Sequence, residues 1–144
     1  MSHILSIQPT SVARSSSKRR RLVMSISLWT VQVVLALLFL FAGSMKLILP
    51  IEMMTAQMTV RLSGLFLRFI GVAEVAGAIG LILPGLLRIR PILTQLAACG
   101  LVIIMIGATV VTLLGGDVVA ALFPLVVGLL CATVAYGRRS WSWA

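Results

Sequence analysis

Charge is scarce in this sequence. Only 10% of its 144 residues are charged, three of them Asp or Glu, while 60% are hydrophobic. A water-soluble domain of this size needs far more charge to cover its surface. Most of the apolar surface must therefore meet something other than water, and a bilayer is the ordinary partner. Histidine is nearly absent too: His3, in the polar N-terminal stretch, is alone. With two cysteines and no CxxC, the ligand set is too small for a metal site of the usual type. Cys99 and Cys131 both fall inside apolar runs, where packing is the expected role, because a thiol in lipid surroundings stays protonated and inert. There is no phosphate-cradling glycine loop, no nucleophile–base pair and no cofactor motif, so no independent catalytic activity can be read.

What is present is length without charge. No charged residue lies between Arg21 and Lys46, between Arg90 and Asp117, or between Asp117 and Arg138, and Glu74 is the only one from Phe69 to Leu87. Each block approaches or exceeds the roughly 20 residues that span a bilayer as a helix. The run Val33 to Phe41 does not alternate apolar with polar, as a barrel strand would. Helices satisfy every backbone polar group within one segment and are preferred. The expected spans are Ser25–Leu49, Arg68–Leu87, Ile92–Leu114 and Val118–Tyr136. They give an all-α membrane protein, an up-down bundle of four transmembrane helices over residues 25–137. Pro50 stops the first span, Pro91 opens the third, and Gly115-Gly116-Asp117 makes a tight turn before the fourth. The first apolar run is longer than the core of a signal peptide, and four spans balance the flanking charges better than three, so it is read as a span.

The formal net charge is +9, and its distribution sets the orientation. Arg14, Lys18, Arg19, Arg20 and Arg21 precede span one, Arg88 and Arg90 lie between spans two and three, and Arg138 and Arg139 follow span four. These nine share one side of the membrane; Lys46, Arg61 and Arg68 occupy the other. The positive-inside rule then puts both termini in the cytoplasm of a cell (inner) membrane protein. A basic arm that leads straight into an apolar span suits anionic lipid better than nucleic acid, so no nucleic-acid partner is expected. Residues 1–24 read as a basic, disordered cytoplasmic tail. Residues 138–144 read as a short basic and aromatic tail, with Trp141 and Trp143 as an interfacial anchor. In the first outer loop, Ile51, Met54, Met58, Leu62 and Leu65 recur at helical spacing, which suggests a short amphipathic helix lying on the interface.

One residue stands out. A carboxylate inside a span costs a few kcal/mol at mid-depth (roughly 3 on insertion scales), so Glu74 should face the bundle rather than lipid. Gly71, Gly77 and Ala78 lie on its face of the helix, where a neighbour can approach closely. Lys46, about one turn from the outer end of span one, is at a similar depth if spans one and two are antiparallel neighbours. A Lys46–Glu74 ion pair follows. The competing arrangement has Lys46 turning outward and Arg68 taking Glu74. Such a pair either fixes helix register or supports proton handling or head-group binding. Ala73-x3-Gly77, Gly100 with Gly107, and Gly128-x3-Ala132 are read as packing faces.

Three segments carry a resemblance. Phe39-Leu40-Phe41-Ala42-Gly43-Ser44-Met45-Lys46-Leu47 closes span one with a lysine, Gly71 to Pro84 bears the glutamate, and Leu96 to Ala108 forms the middle of span three. Together they resemble the DoxX-like family of small bacterial four-span proteins. The resemblance implies an association with membrane redox, as in subunits of quinol oxidases, thiosulfate:quinone oxidoreductases and complexes that handle thiol stress. It also implies a histidine near the outer end of span three, and Val110-Val111-Thr112-Leu113-Leu114 has none. The expectation is an accessory subunit of a quinone- or thiol-linked redox complex, with quinone as the possible cofactor and a membrane or soluble redox protein as partner. A small proton-coupled exporter working as a homo-oligomer, or a structural assembly protein, are the alternatives. The position of the glutamate and the 6% aromatic content fit the exporter less well.

Overall fold

A computed structural model of the protein describes residues 11–56 and 58–139, with side chains from residue 15 onward. It is all-helical: α1 (Ser11–Ile48), α2 (Ile51–Thr55), α3 (Gly64–Leu86), α4 (Ile92–Leu114) and α5 (Val118–Arg139). Four of these, α1, α3, α4 and α5, are long and apolar enough to cross a membrane. At 1.5 Å per residue the 23 residues of α3 or α4 measure about 34 Å, slightly more than a hydrocarbon core. The four pack as a closed ring in which α1 touches α3, α3 touches α4, α4 touches α5 and α5 returns to α1. Both described termini therefore lie at one end, here the termini end, and α2 lies at the other.

The core runs down the middle of this ring. Leu35 and Phe39 from α1, Leu81 from α3, Leu101 from α4, and Cys131 and Val134 from α5 are almost fully enclosed. Outside, exposed leucine, isoleucine and valine cover every long helix, as expected of surfaces solvated by acyl chains. Glycines set the closest approaches. A Cβ on Gly43 would lie 2.8 Å from the Gly71 carbonyl oxygen, so α1 and α3 meet almost backbone to backbone. Gly77 and Gly80 likewise admit Leu101 and Ala97 of α4, and Gly128 admits Met105. Gly100 and Gly107 behave differently from expectation. They face away from the bundle with nothing within 4 Å, because the register of α4 turns Ala98, Leu101 and Met105 inward instead.

Helix boundaries depart from the sequence reading in four places. First, α1 begins at Ser11 rather than Ser25, so residues 11–24 are helical and not a disordered tail. No proline or glycine interrupts residues 10–42, and a helix already nucleated in the span propagates through them. Residues 1–10 of the expected tail lie outside the described residues. Second, α3 starts at Gly64, four residues before Arg68; Leu65, Phe66 and Leu67 extend the span past a charge that, as shown below, has a partner. Third, α5 continues to Arg139, so Arg138 belongs to the span rather than to a tail. Trp141 and Trp143 lie outside the described residues. Fourth, the helix expected in the loop after span one is only Ile51–Thr55. Its Ile51 packs on Gly64, where a Cβ would come within 2.5 Å of it, and the chain then crosses to put Thr59 beside Gly115. The Gly115-Gly116-Asp117 turn forms as expected, with Gly116 at φ +87 and the Asp117 carboxylate accepting from the Ala120 N–H at 2.9 Å.

Candidate functional site

The Lys46–Glu74 pair forms. Lys46 Nζ donates to both carboxylate oxygens of Glu74, at 2.9 Å to Oε1 and 2.7 Å to Oε2. Glu74 is midway along α3 and its side chain is only 2% exposed, against 28% for Lys46. Because α3 starts at Gly64 and not at Arg68, the glutamate is ten residues from the helix start rather than six. Lys46 compensates for this by direction. Its Cβ lies opposite Gly71, 3.0 Å from where a Cβ there would sit, yet its ammonium reaches Glu74 nearly one turn deeper. Helical side chains lean toward their own N-terminus, and for Lys46 that lean is into the bundle. Outward snorkelling is not what the structure shows.

Arg68 does not take Glu74. Its guanidinium donates to the Leu47 carbonyl near the end of α1. A helix leaves its last carbonyls without partners, and Pro50 offers no N–H to α1. A cation at that end also meets the negative pole of the helix dipole. Lys46, Glu74 and Arg68 thus cluster between α1 and α3, but in two separate contacts: an ion pair inside and a helix cap outside.

A second polar cluster, absent from the sequence reading, lies toward the termini end of the same pair of helices. Gln32 of α1 is fully buried. Its Nε2 donates to the Leu81 carbonyl of α3, three residues before Pro84. Its Oε1 accepts from Arg138 Nε and Nη2, at 3.2 and 2.7 Å. The Arg138 guanidinium also sits 5.6 Å from the centroid of the Trp29 ring, and Gly85 leaves the space that the ring occupies. A lone amide inside an uncharged run was the signal available for Gln32. Among the described residues, every buried side-chain nitrogen and oxygen has a hydrogen-bond partner.

Between these two clusters, α1 and α3 part to leave a groove of about 220 Å³. Ala36, Leu37 and Leu40 line one wall; Ala78, Ile79, Ile82 and Leu83 line the other. Ala78 is one helical turn from Glu74. No lining side chain is polar. Thr109 and Thr112 donate to their own helix, at 2.8 Å each. Cys131 is enclosed in the core, while Cys99 is exposed on α4, and both thiols are free.

A four-span helical membrane protein with an ion pair sealed between its first two spans is the class these features define. A family model adds the particular: the DoxX-like family matches residues 30–134, which covers the second half of α1, all of α3 and α4 and most of α5. The chain belongs to the DoxX-like family. No curated protein and no solved structure matches it.

Proposed function

We propose that the chain is an accessory subunit of a quinone- or thiol-linked redox complex of the inner (cytoplasmic) membrane, with both termini in the cytoplasm. The observation that carries this reading is the wholly apolar groove between α1 and α3, one turn from an ion pair that locks the same two helices. Membership of the DoxX-like family supports it. So does the placement of nine of the twelve lysines and arginines at the termini end, the side the positive-inside rule assigns to the cytoplasm.

The groove suits the isoprenoid tail of a quinone, or a lipid acyl chain, by its shape and lining. It does not suit a quinone head group: none of its seven side chains can donate to a carbonyl, and the nearby Lys46, Glu74 and Gln32 are engaged with one another or with backbone. In this role the chain supplies a berth for the tail, and the partner supplies the redox centre. Lys46 and Glu74 hold α1 against α3 so that the groove keeps its form.

Purification of the full chain in mild detergent, with identification of co-eluting proteins and extraction of bound quinone, tests this. Recovery of a redox protein together with quinone is expected; recovery of neither contradicts it. The mid-helix position of Glu74 favours one second reading, a proton-coupled exporter. That reading requires resistance to a toxic cation to vanish in Glu74→Gln, with no partner recovered.

A further inference from the structure

The described part of the basic arm is a helix, and this changes what its charges can bind. Lys18, Arg19, Arg20 and Arg21 are consecutive and all exposed. At 3.6 residues per turn, four consecutive side chains fan around about 300° of a helix. A flat protein surface meets one face of a helix and so touches only part of such a fan. The head-group layer of a membrane surrounds a helix that crosses it and reaches all four.

The collar also sits at the right height. Leu22, Val23 and Met24, the next residues of α1, are all exposed and apolar. The apolar surface of the helix therefore extends right up to Arg21, and the collar starts where that surface stops. Opposite Trp29, α3 ends just beyond Gly85, and Arg88 and Arg90 follow in the α3–α4 turn, both exposed. Arg88 holds a left-handed backbone conformation, φ 51, which a non-glycine residue rarely adopts. No Asp or Glu lies in the stretches that carry these six cations. The chain's three acids are Glu52, Glu74 and Asp117, and they lie in α2, midway along α3 and in the α4–α5 turn, the last two engaged by Lys46 and by the Ala120 N–H.

We infer that Lys18, Arg19, Arg20 and Arg21, with Arg88 and Arg90, form a collar that binds the phosphodiester head groups of anionic phospholipid around α1. The partner is the anionic leaflet itself, not a nucleic acid and not a free phosphate ion. This is independent of the redox reading and of which side of the membrane the termini occupy.

The test uses the full chain in nanodiscs, with spin-labelled phosphatidylglycerol and phosphatidylcholine compared at low salt. A cation near a membrane surface contributes about 1 kcal/mol, or about fivefold. A preference for phosphatidylglycerol of about fivefold or more is expected. It should fall toward parity when Lys18, Arg19, Arg20 and Arg21 are all changed to Gln, with helix content by circular dichroism unchanged. Raising salt on the unaltered chain should do the same without any substitution, which keeps the test valid should the variant fail to insert. Equal association with both lipids at low salt overturns the inference. So does an undiminished preference in the variant or at high salt. Displacement of the labelled lipid by soluble glycerol phosphate at matching concentration would overturn it in favour of an ion site. Displacement by a short DNA duplex would overturn it in favour of nucleic acid.

Discussion

The two ends of this bundle handle charge in opposite ways. At the α2 end three cations, Lys46, Arg61 and Arg68, meet three acids, Glu52, Glu74 and Asp117, so the formal charge there cancels. The other nine lysines and arginines are at the termini end with no acid, and the whole net charge of +9 resides there. The buried groups follow the same division. Glu74, midway along its helix, is neutralised by a cation at hydrogen-bond distance. Arg138, near a helix end, is held by the neutral oxygen of Gln32 and the face of Trp29. A carboxylate is strongly hydrated and must be paired when taken deep into a bundle. A guanidinium is planar and weakly hydrated, and an amide oxygen and an aromatic face can serve it near the interface.

The contrast can be strained by substitution. The largest effect is expected from Lys46→Met, which strands a carboxylate that is 2% exposed. Loss of one partner from a buried pair costs about 3–5 kcal/mol. Glu74→Gln should cost less, because Lys46 at 28% exposure can turn its ammonium toward the interface. Thermal unfolding of the two variants in the same detergent gives the order; a reversed order would mean that the lysine is the more deeply committed partner. Next comes Gln32→Leu at the termini end. It removes the donor to the Leu81 carbonyl and an acceptor for Arg138, at about 1–3 kcal/mol for buried groups left unsatisfied. Hydrogen exchange should then rise at the last turns of α3 and α5 and not at Lys46. The smallest contrast concerns packing. Gly43→Ala at the α2 end drives a methyl to 2.8 Å from a backbone oxygen, an overpacking cost of about 1–3 kcal/mol. Gly85→Ala meets the rim of the Trp29 ring at 3.1 Å and Gln32 Nε2 at 3.9 Å, with no backbone atom among its nearest contacts, and gains helix propensity of about 1 kcal/mol, so its melting temperature should scarcely move.

The same contrast explains what could be read from sequence. The four spans are legible because charge punctuates them, and span three matches the structure at both ends, Ile92–Leu114. The Lys46–Glu74 pair is legible because two opposite charges inside or beside apolar runs have few ways to be satisfied. Arg68 is not legible: the sequence offered it only as an alternative partner for Glu74, and its actual partner is a backbone carbonyl, which no side-chain pattern reveals. Gln32 carries no charge, and Arg138 stands beside Arg139 at a chain end, where basic residues ordinarily set topology. Their contact joins residues 106 apart, and only the return of α5 to α1 brings them together. Gly100 and Gly107 show the reverse error. Small residues a heptad apart suggest a packed face, but the register of α4 turns that face outward.

A double-mutant cycle on Lys46→Met and Glu74→Gln, followed by equilibrium unfolding in nanodiscs or mixed micelles, interrogates the ion pair most directly. A coupling energy on the order of 2 kcal/mol is expected for two groups in direct contact, with the double variant more stable than Lys46→Met alone. Effects that simply add, to within about 0.5 kcal/mol, would mean that the two side chains do not depend on each other and that α1 and α3 are held together by something else.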